Sequence, residues 1–189
     1  MSFGVRRTLA IATIVMLALS SFADAQQSKR RSKKQQKQQE QAAPAPAPVD
    51  RRDRVVSAPG TPFNGRAYWQ AAAQCGGTYF KLGTLHSEAA VRAKVVRPDP
   101  AAFTSLTRDM GAANRSATAF FEAAERFLIA DRKLSREDAV LTYDSVAGAS
   151  GDRVKTVDAA AQAARPCPEL YLACHGAYPQ VCPERSLPN

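Results

Sequence analysis

The chain predicts an all-α fold: an up-down bundle of three long helices and a short C-terminal helix. It is stapled by disulfides and preceded by a disordered basic, Pro-rich segment. Three observations carry this reading. From Asn64 to about Cys182 apolar residues recur at steps of three and four, with no run of alternating β-branched residues. The connections between the periodic segments, Val95 to Arg97 and Arg132 to Leu134, are short, so successive helices become antiparallel neighbours. The four cysteines follow an N-terminus that reads as an export signal, and an even set of cysteines in an exported chain implies pairing.

The first periodic segment runs from about Gly65 to Lys94. Tyr68, Ala72, Cys75, Tyr79, Leu82 and His86 fall on one stripe, and Asn64 stands where an N-cap would. Gly76, Gly77 and Gly83 each weaken an isolated helix by about 1 kcal/mol relative to Ala, so they mark either close packing or a kink. The second segment opens on Asp99-Pro100, a cap followed by proline at the first helical position, where a missing N–H costs nothing. Its stripe is Phe103, Leu106, Met110, Ala113, Ala117, Phe120, Ala124 and Phe127. The third opens on Ser135, with Asp138 placed to reach back and Leu134 placed to staple onto Ala139. Its stripe, Val140, Tyr143, Ala147, Ser150, Val154, Val157, Ala161 and Ala164, predicts one helix that continues to Arg165-Pro166. A short fourth helix is expected from Pro168 to His175, closed by Gly176, with Leu170, Tyr171 and Cys174 facing inward. Pro179, Pro183 and Pro188 predict an irregular tail.

Residues 1–25 read as a signal peptide. Arg6 and Arg7 form a positive n-region, Leu9 to Leu19 is a short apolar run, and Ala23-Asp24-Ala25 has the small-x-small pattern of a cleavage site. Cleavage between Ala25 and Gln26 is expected. The apolar run is roughly half the ~20 residues that a spanning helix needs, and no later stretch is apolar enough to span. The expected organisation is therefore a signal peptide over 1–25, a disordered linker over 26–62, and a helical domain over 63–189. The expected location is periplasmic or secreted.

The net charge of +9 would suggest a nucleic-acid partner if it were spread over the fold. It is not. Residues 26–54 carry nine Lys/Arg against three Asp/Glu, whereas residues 55–189 carry fifteen against thirteen. Gln26 to Gln41 is Lys/Arg/Gln-rich and holds no apolar residue, so it cannot bury enough surface to offset its ordering entropy. Ala42 to Pro48 alternates Ala and Pro and should be extended. Export removes nucleic acid as a partner for the cluster Lys29, Arg30, Arg31, Lys33, Lys34 and Lys37. What remains for it is an anionic envelope surface or a protein partner, held through a salt-sensitive basic tether.

Cys75, Cys167, Cys174 and Cys182 are expected to form two disulfides. Cys167 and Cys174, seven apart on a helix, would hold their Cα atoms about 10 Å apart, too far to bridge. With the third helix continuous, Cys167 falls level with the far end of the first helix, about 30 Å from Cys75. That favours Cys75–Cys174 with Cys167–Cys182. The same region offers the alternative of a carrier that binds haem or metal through Cys174 and His175. The cysteine gaps of six and seven do not match structural zinc spacing. Leu172-Ala173-Cys174-His175, in the last helix of an expected bundle, resembles the C-x-x-C-H of exported cytochromes of the c-prime kind. Tyr171 stands at the first cysteine position, so the resemblance covers one cysteine, one histidine and the fold class, and implies haem only through a single thioether link.

No Ser/His/Asp constellation, phosphate-binding Gly loop or H-E-x-x-H motif is present, and no catalytic residue is assigned. His86 reads as a packed or half-exposed residue. Phe63, Tyr68 and Trp69 cluster where linker meets fold, either capping the open end of the bundle or offering an aromatic patch. The expected function is that of an exported, non-enzymatic helical protein with an interaction or structural role and no cofactor.

Overall fold

The computed structural model describes residues 50–184. Its elements, in order, are α1 (Tyr68–Val95), α2 (Pro100–Arg132), α3 (Arg136–Asp152), α4 (Val157–Ala164) and α5 (Cys167–Ala177). The all-α expectation holds: no strand forms among the described residues, only an isolated bridge between Val55 and Ala67.

Residues 50–62, read above as the end of a linker, belong to the packed structure. Val56 and Phe63 are buried in the same cluster as Trp69, Phe120 and Phe127. Backbone bonds hold this strap in place: Val56 N–H donates to Arg66 O, Gly65 N–H to Val56 O, and Tyr68 N–H to Arg54 O. The last of these gives the first N–H of α1 a partner from the strap. Asn64 is therefore not the cap. Its side-chain oxygen accepts from Ala58 N–H within the strap, and Gly65 at φ +77° turns the chain before the helix starts.

α1 is continuous through all three glycines, and they mark close approach. A Cβ at Gly77 would overlap the backbone carbonyl of Ala147 in α3, and one at Gly76 would overlap the Phe121 ring of α2. The first half of α1 is thus the central rod of the molecule, buried on nearly every side from Tyr68 to Thr78. α2 starts as its sequence predicts, with the Asp99 carboxylate accepting from Ala102 N–H at 2.9 Å. Ala113, Ala117, Phe120, Ala124 and Phe127 of its stripe are buried. Ser135 caps α3 by accepting from Asp138 N–H at 3.1 Å while its hydroxyl donates to the Asp138 carboxylate at 2.7 Å.

The third predicted helix is two. α3 stops at Asp152, and α4 begins at Val157 with Thr156 accepting from Ala159 N–H at 3.2 Å. The end of α3 lies beside Gly77 and Lys81, partway along α1, and α4 runs back toward Cys75 from there. This corrects the cysteine pairing. The bonds are Cys75–Cys167 and Cys174–Cys182, with Cα separations of 5.8 and 5.9 Å, in place of the favoured Cys75–Cys174 with Cys167–Cys182. The 30 Å that separated Cys75 from Cys167 in the sequence argument assumed a straight third helix. The break at residues 153–156 removes that distance.

α3 ends level with Lys81 of α1. From there to Val95 is 14 residues, so the α1–α2 pair projects past the end of α3 by about 20 Å at 1.5 Å per residue. The molecule has a dense base, where five helices and the strap meet, and a two-helix arm.

Candidate functional site

The base holds the most developed polar structure. Asp53, on the strap, receives two hydrogen bonds from Arg132 at the end of α2, from Nε to Oδ1 at 2.8 Å and from the terminal nitrogen to Oδ2 at 2.7 Å. Trp69 Nε1–H donates to the same carboxylate at 3.3 Å, and the Arg132 guanidinium lies 5.0 Å from the Trp69 ring centroid. The next residue along each chain repeats the pairing: Arg54 meets Asp131, Nε to Oδ1 at 2.8 Å, and Arg54 N–H donates to Oδ2 at 3.1 Å. Arg54 also lies over Phe127 and Tyr178, at 4.7 and 4.8 Å.

The electrostatics follow from these contacts. Burial by itself would raise the Asp53 carboxyl, whose side chain is wholly covered. The hydrogen bonds from Arg132, from Trp69 and from the Asp50 backbone outweigh it and hold the group below the usual carboxylate range. The same bond to Asp53 raises Arg132. Asp50, exposed, is lowered by its contacts with the Arg52 side chain and backbone. Every group in the Asp53–Arg132 and Arg54–Asp131 pairs faces a partner, so the arrangement leaves no acid, base or nucleophile aimed at open space. Its chemistry is that of a clasp. Sequence reasoning missed it because Asp53 and Arg54 were counted with the basic tail, and their partners lie 79 and 77 residues away.

The C-terminal cysteines give a second candidate region. Cys174 and Cys182 are joined to each other, and no free cysteine remains among the described residues. His175 is half-buried, with Nδ1 2.8 Å from the Cys182 carbonyl. The segment is fastened further by Arg126, which donates to Val181 O at 2.8 Å, and by the Tyr171 hydroxyl, which donates to Pro183 O at 3.2 Å. A haem thioether or a thiolate ligand needs a thiol at Cys174, and that sulfur is already bonded to Cys182. The cavity beside it, lined by Tyr68, Ala72, Phe120, Phe127, Leu170 and Tyr171, offers about 10 Å³. That is room for a single water, against roughly 300 Å³ or more for a small-molecule site. Among the described residues no group of three His, Cys, Asp or Glu side chains is placed to hold a metal ion.

The remaining residues singled out in the sequence are placed as follows. Phe63, Tyr68 and Trp69 are buried, so the exposed aromatic patch does not exist and the three rings are core. Tyr68 stacks on Phe127 at 5.1 Å between centroids, and Phe120 meets Tyr171 edge-on at 5.4 Å. His86 sits at the root of the arm, half-buried, with its Nδ1 covered and unpaired. Ala25 and Gln26 at the expected cleavage site, and Lys29, Arg30, Arg31, Lys33, Lys34 and Lys37 of the expected tether, lie outside the described residues. Among the described residues no helix is long and apolar enough to cross a membrane.

Comparison of the chain with protein-family models, with curated proteins and with solved structures finds no match.

Proposed function

We propose that the protein is an exported, non-enzymatic envelope protein, in which a disulfide-stapled helical body is held at an anionic surface by a basic N-terminal tether. The observation that carries this reading is the division of charge. Residues 26–49 hold six Lys/Arg against a single acid, Glu40, whereas on the strap Arg52 pairs with Asp50 and Arg54 with Asp131 of α2. The excess of positive charge is therefore concentrated in the segment ahead of the strap. Pairing of all four cysteines supports an oxidising compartment, since such bonds are rare where thiols are kept reduced. The closed polar pairs of the base support a structural role over a catalytic one.

The test is expression with the native N-terminus, followed by fractionation and by mass spectrometry without reduction. The expected product begins at Gln26, carries two disulfides and leaves the envelope fraction as salt rises. Replacing Lys29, Arg30, Arg31, Lys33, Lys34 and Lys37 by Gln should weaken that hold, so that release needs less salt. A protein retained in the cytosol with reduced cysteines would overturn the reading, and a glutamine variant bound as tightly as the parent at every salt concentration would remove the tether from it.

A further inference from the structure

The arm ends in a combination found nowhere else on the body. Val91, Val95 and Val96 are 59, 70 and 68% exposed, the first two one helical turn apart on α1 and the third adjacent to the second. The eight residues 91–98 carry Arg92, Lys94 and Arg97 and no acid. None of these three cations forms an ion pair among the described residues. The nearest following acid, Asp99, is occupied in capping α2. Lys94 Nζ lies over the Phe103 ring, 5.4 Å from its centroid. The turn itself is fixed, with the N–H groups of Val96 and Arg97 both donating to Arg92 O and that of Asp99 to Ala93 O. The other adjacent exposed apolar pair, Val140 and Leu141, is bordered by Glu137, Asp138 and Asp144 and has the opposite charge character.

We propose that this tip is a second contact for an anionic bilayer surface, with the three valines entering the acyl boundary and Arg92, Lys94 and Arg97 meeting the headgroups. Apolar residues at the end of a helical hairpin, ringed by cations, match the two layers of such a surface: hydrocarbon within, negative charge at its rim. The bundle gives the tip reach, because it stands about 20 Å beyond the last residues of α3. The inference rests on the proposed export only for the choice of surface, and it uses residues of the folded body alone.

The experiment is flotation of the full chain with vesicles of phosphatidylglycerol in phosphatidylethanolamine, against vesicles of phosphatidylcholine. Two variants are compared: the six-glutamine tail, and Val91→Thr/Val95→Thr/Val96→Thr, which keeps shape and β-branching while removing apolar surface. The expected result is that the six-glutamine chain still floats with anionic vesicles, and that adding the threonines lowers that residual binding by about tenfold or more. Amide exchange over residues 88–104 should slow on the vesicles while residues 69–78 stay unchanged. The proposal is overturned if the threonines leave binding intact in the six-glutamine chain, if that chain fails to float, or if the tip amides gain no protection. Retention on immobilised polyphosphate without vesicle binding would also overturn it, in favour of a soluble polyanion. The tip is read in a chain whose tail is already neutral, so the tether can fail while the tip stands.

Discussion

The two halves of α1 have the same helical backbone and quite different surroundings. From Tyr68 to Thr78 the helix is enclosed by α2, α3, α4, α5 and the strap, and its small residues let the neighbouring backbones close in. From Thr84 to Val95 it runs past the end of α3, with Ala90 its only buried residue. The difference comes from where α3 stops. Its end at Asp152 sets how far α3 accompanies α1 and α2, and the hairpin of those two helices beyond it carries half-covered Leu85, Phe103, Leu106 and Met110. Local stability follows enclosure, because most helical stability in a folded chain derives from the buried face and little from propensity. The base is built to persist and the arm to be presented.

The sharpest way to break this contrast is to unfasten the base. Replacing Cys75 and Cys167 by Ala removes a bond that closes a separation of 92 residues, and the loss of stability should be about 4–5 kcal/mol. The same change at Cys174 and Cys182, eight residues apart, should cost roughly 2.5 kcal/mol. Urea midpoints of the two variants give the comparison, and equal losses would mean that chain-entropy reasoning fails here.

Next in size is the clasp. Asp53→Asn strands Arg132 beside Trp69 and should cost about 3 kcal/mol in urea unfolding. Its pH signature has a definite sign. The folded Asp53 carboxyl lies below its unfolded value, so its stabilisation is complete at neutral pH. It begins to fall as pH drops toward the unfolded value of about 4, and it is lost once the folded carboxyl takes a proton. The Asn variant should show a shallower acid dependence than the parent. A variant with the same acid slope and a loss under about 1 kcal/mol would reduce the clasp to a surface ion pair.

The smallest effect belongs to the arm. Phe103→Ala should lower global stability by only about 1 kcal/mol, because the ring is half-covered, against 3–5 kcal/mol for Phe120→Ala in the core. Amide exchange should speed up from Leu85 to Met110 and stay unchanged around Trp69. A global loss as large as that of Phe120→Ala would show that arm and base unfold as one unit.

Much of this was legible in the residues, for identifiable reasons. Asp99-Pro100 and Ser135 are local signals that act within three residues, and both caps form as read. The stripe from Ala113 to Phe127 is buried because a single helix face decides it. The break at residues 153–156 escaped because Val154 and Val157 keep the three-residue step across it, so periodicity does not register the loop. Val154 is buried within the connection itself. Thr156 followed by Asp158 was the available sign, a cap with an acid in the first turn. The pairing of Cys75 with Cys167 was lost with that break. The strap ahead of Phe63 could not be read. Val56 has no periodic companions, and the clasp that holds it down joins residues that only the fold brings together.

The Cys75–Cys167 bond also makes the body a closed covalent circuit. The whole arm, including the basic tip at Arg92, Lys94 and Arg97, lies inside it. A protease that cuts at the tip therefore opens the hairpin without dividing the molecule. The two pieces stay joined through the cystine and clamped by the base. On a gel such a nicked protein runs as one band until thiol is added, then as two. In a compartment rich in proteases, the exposed end can be lost as a working part while the scaffold remains in place.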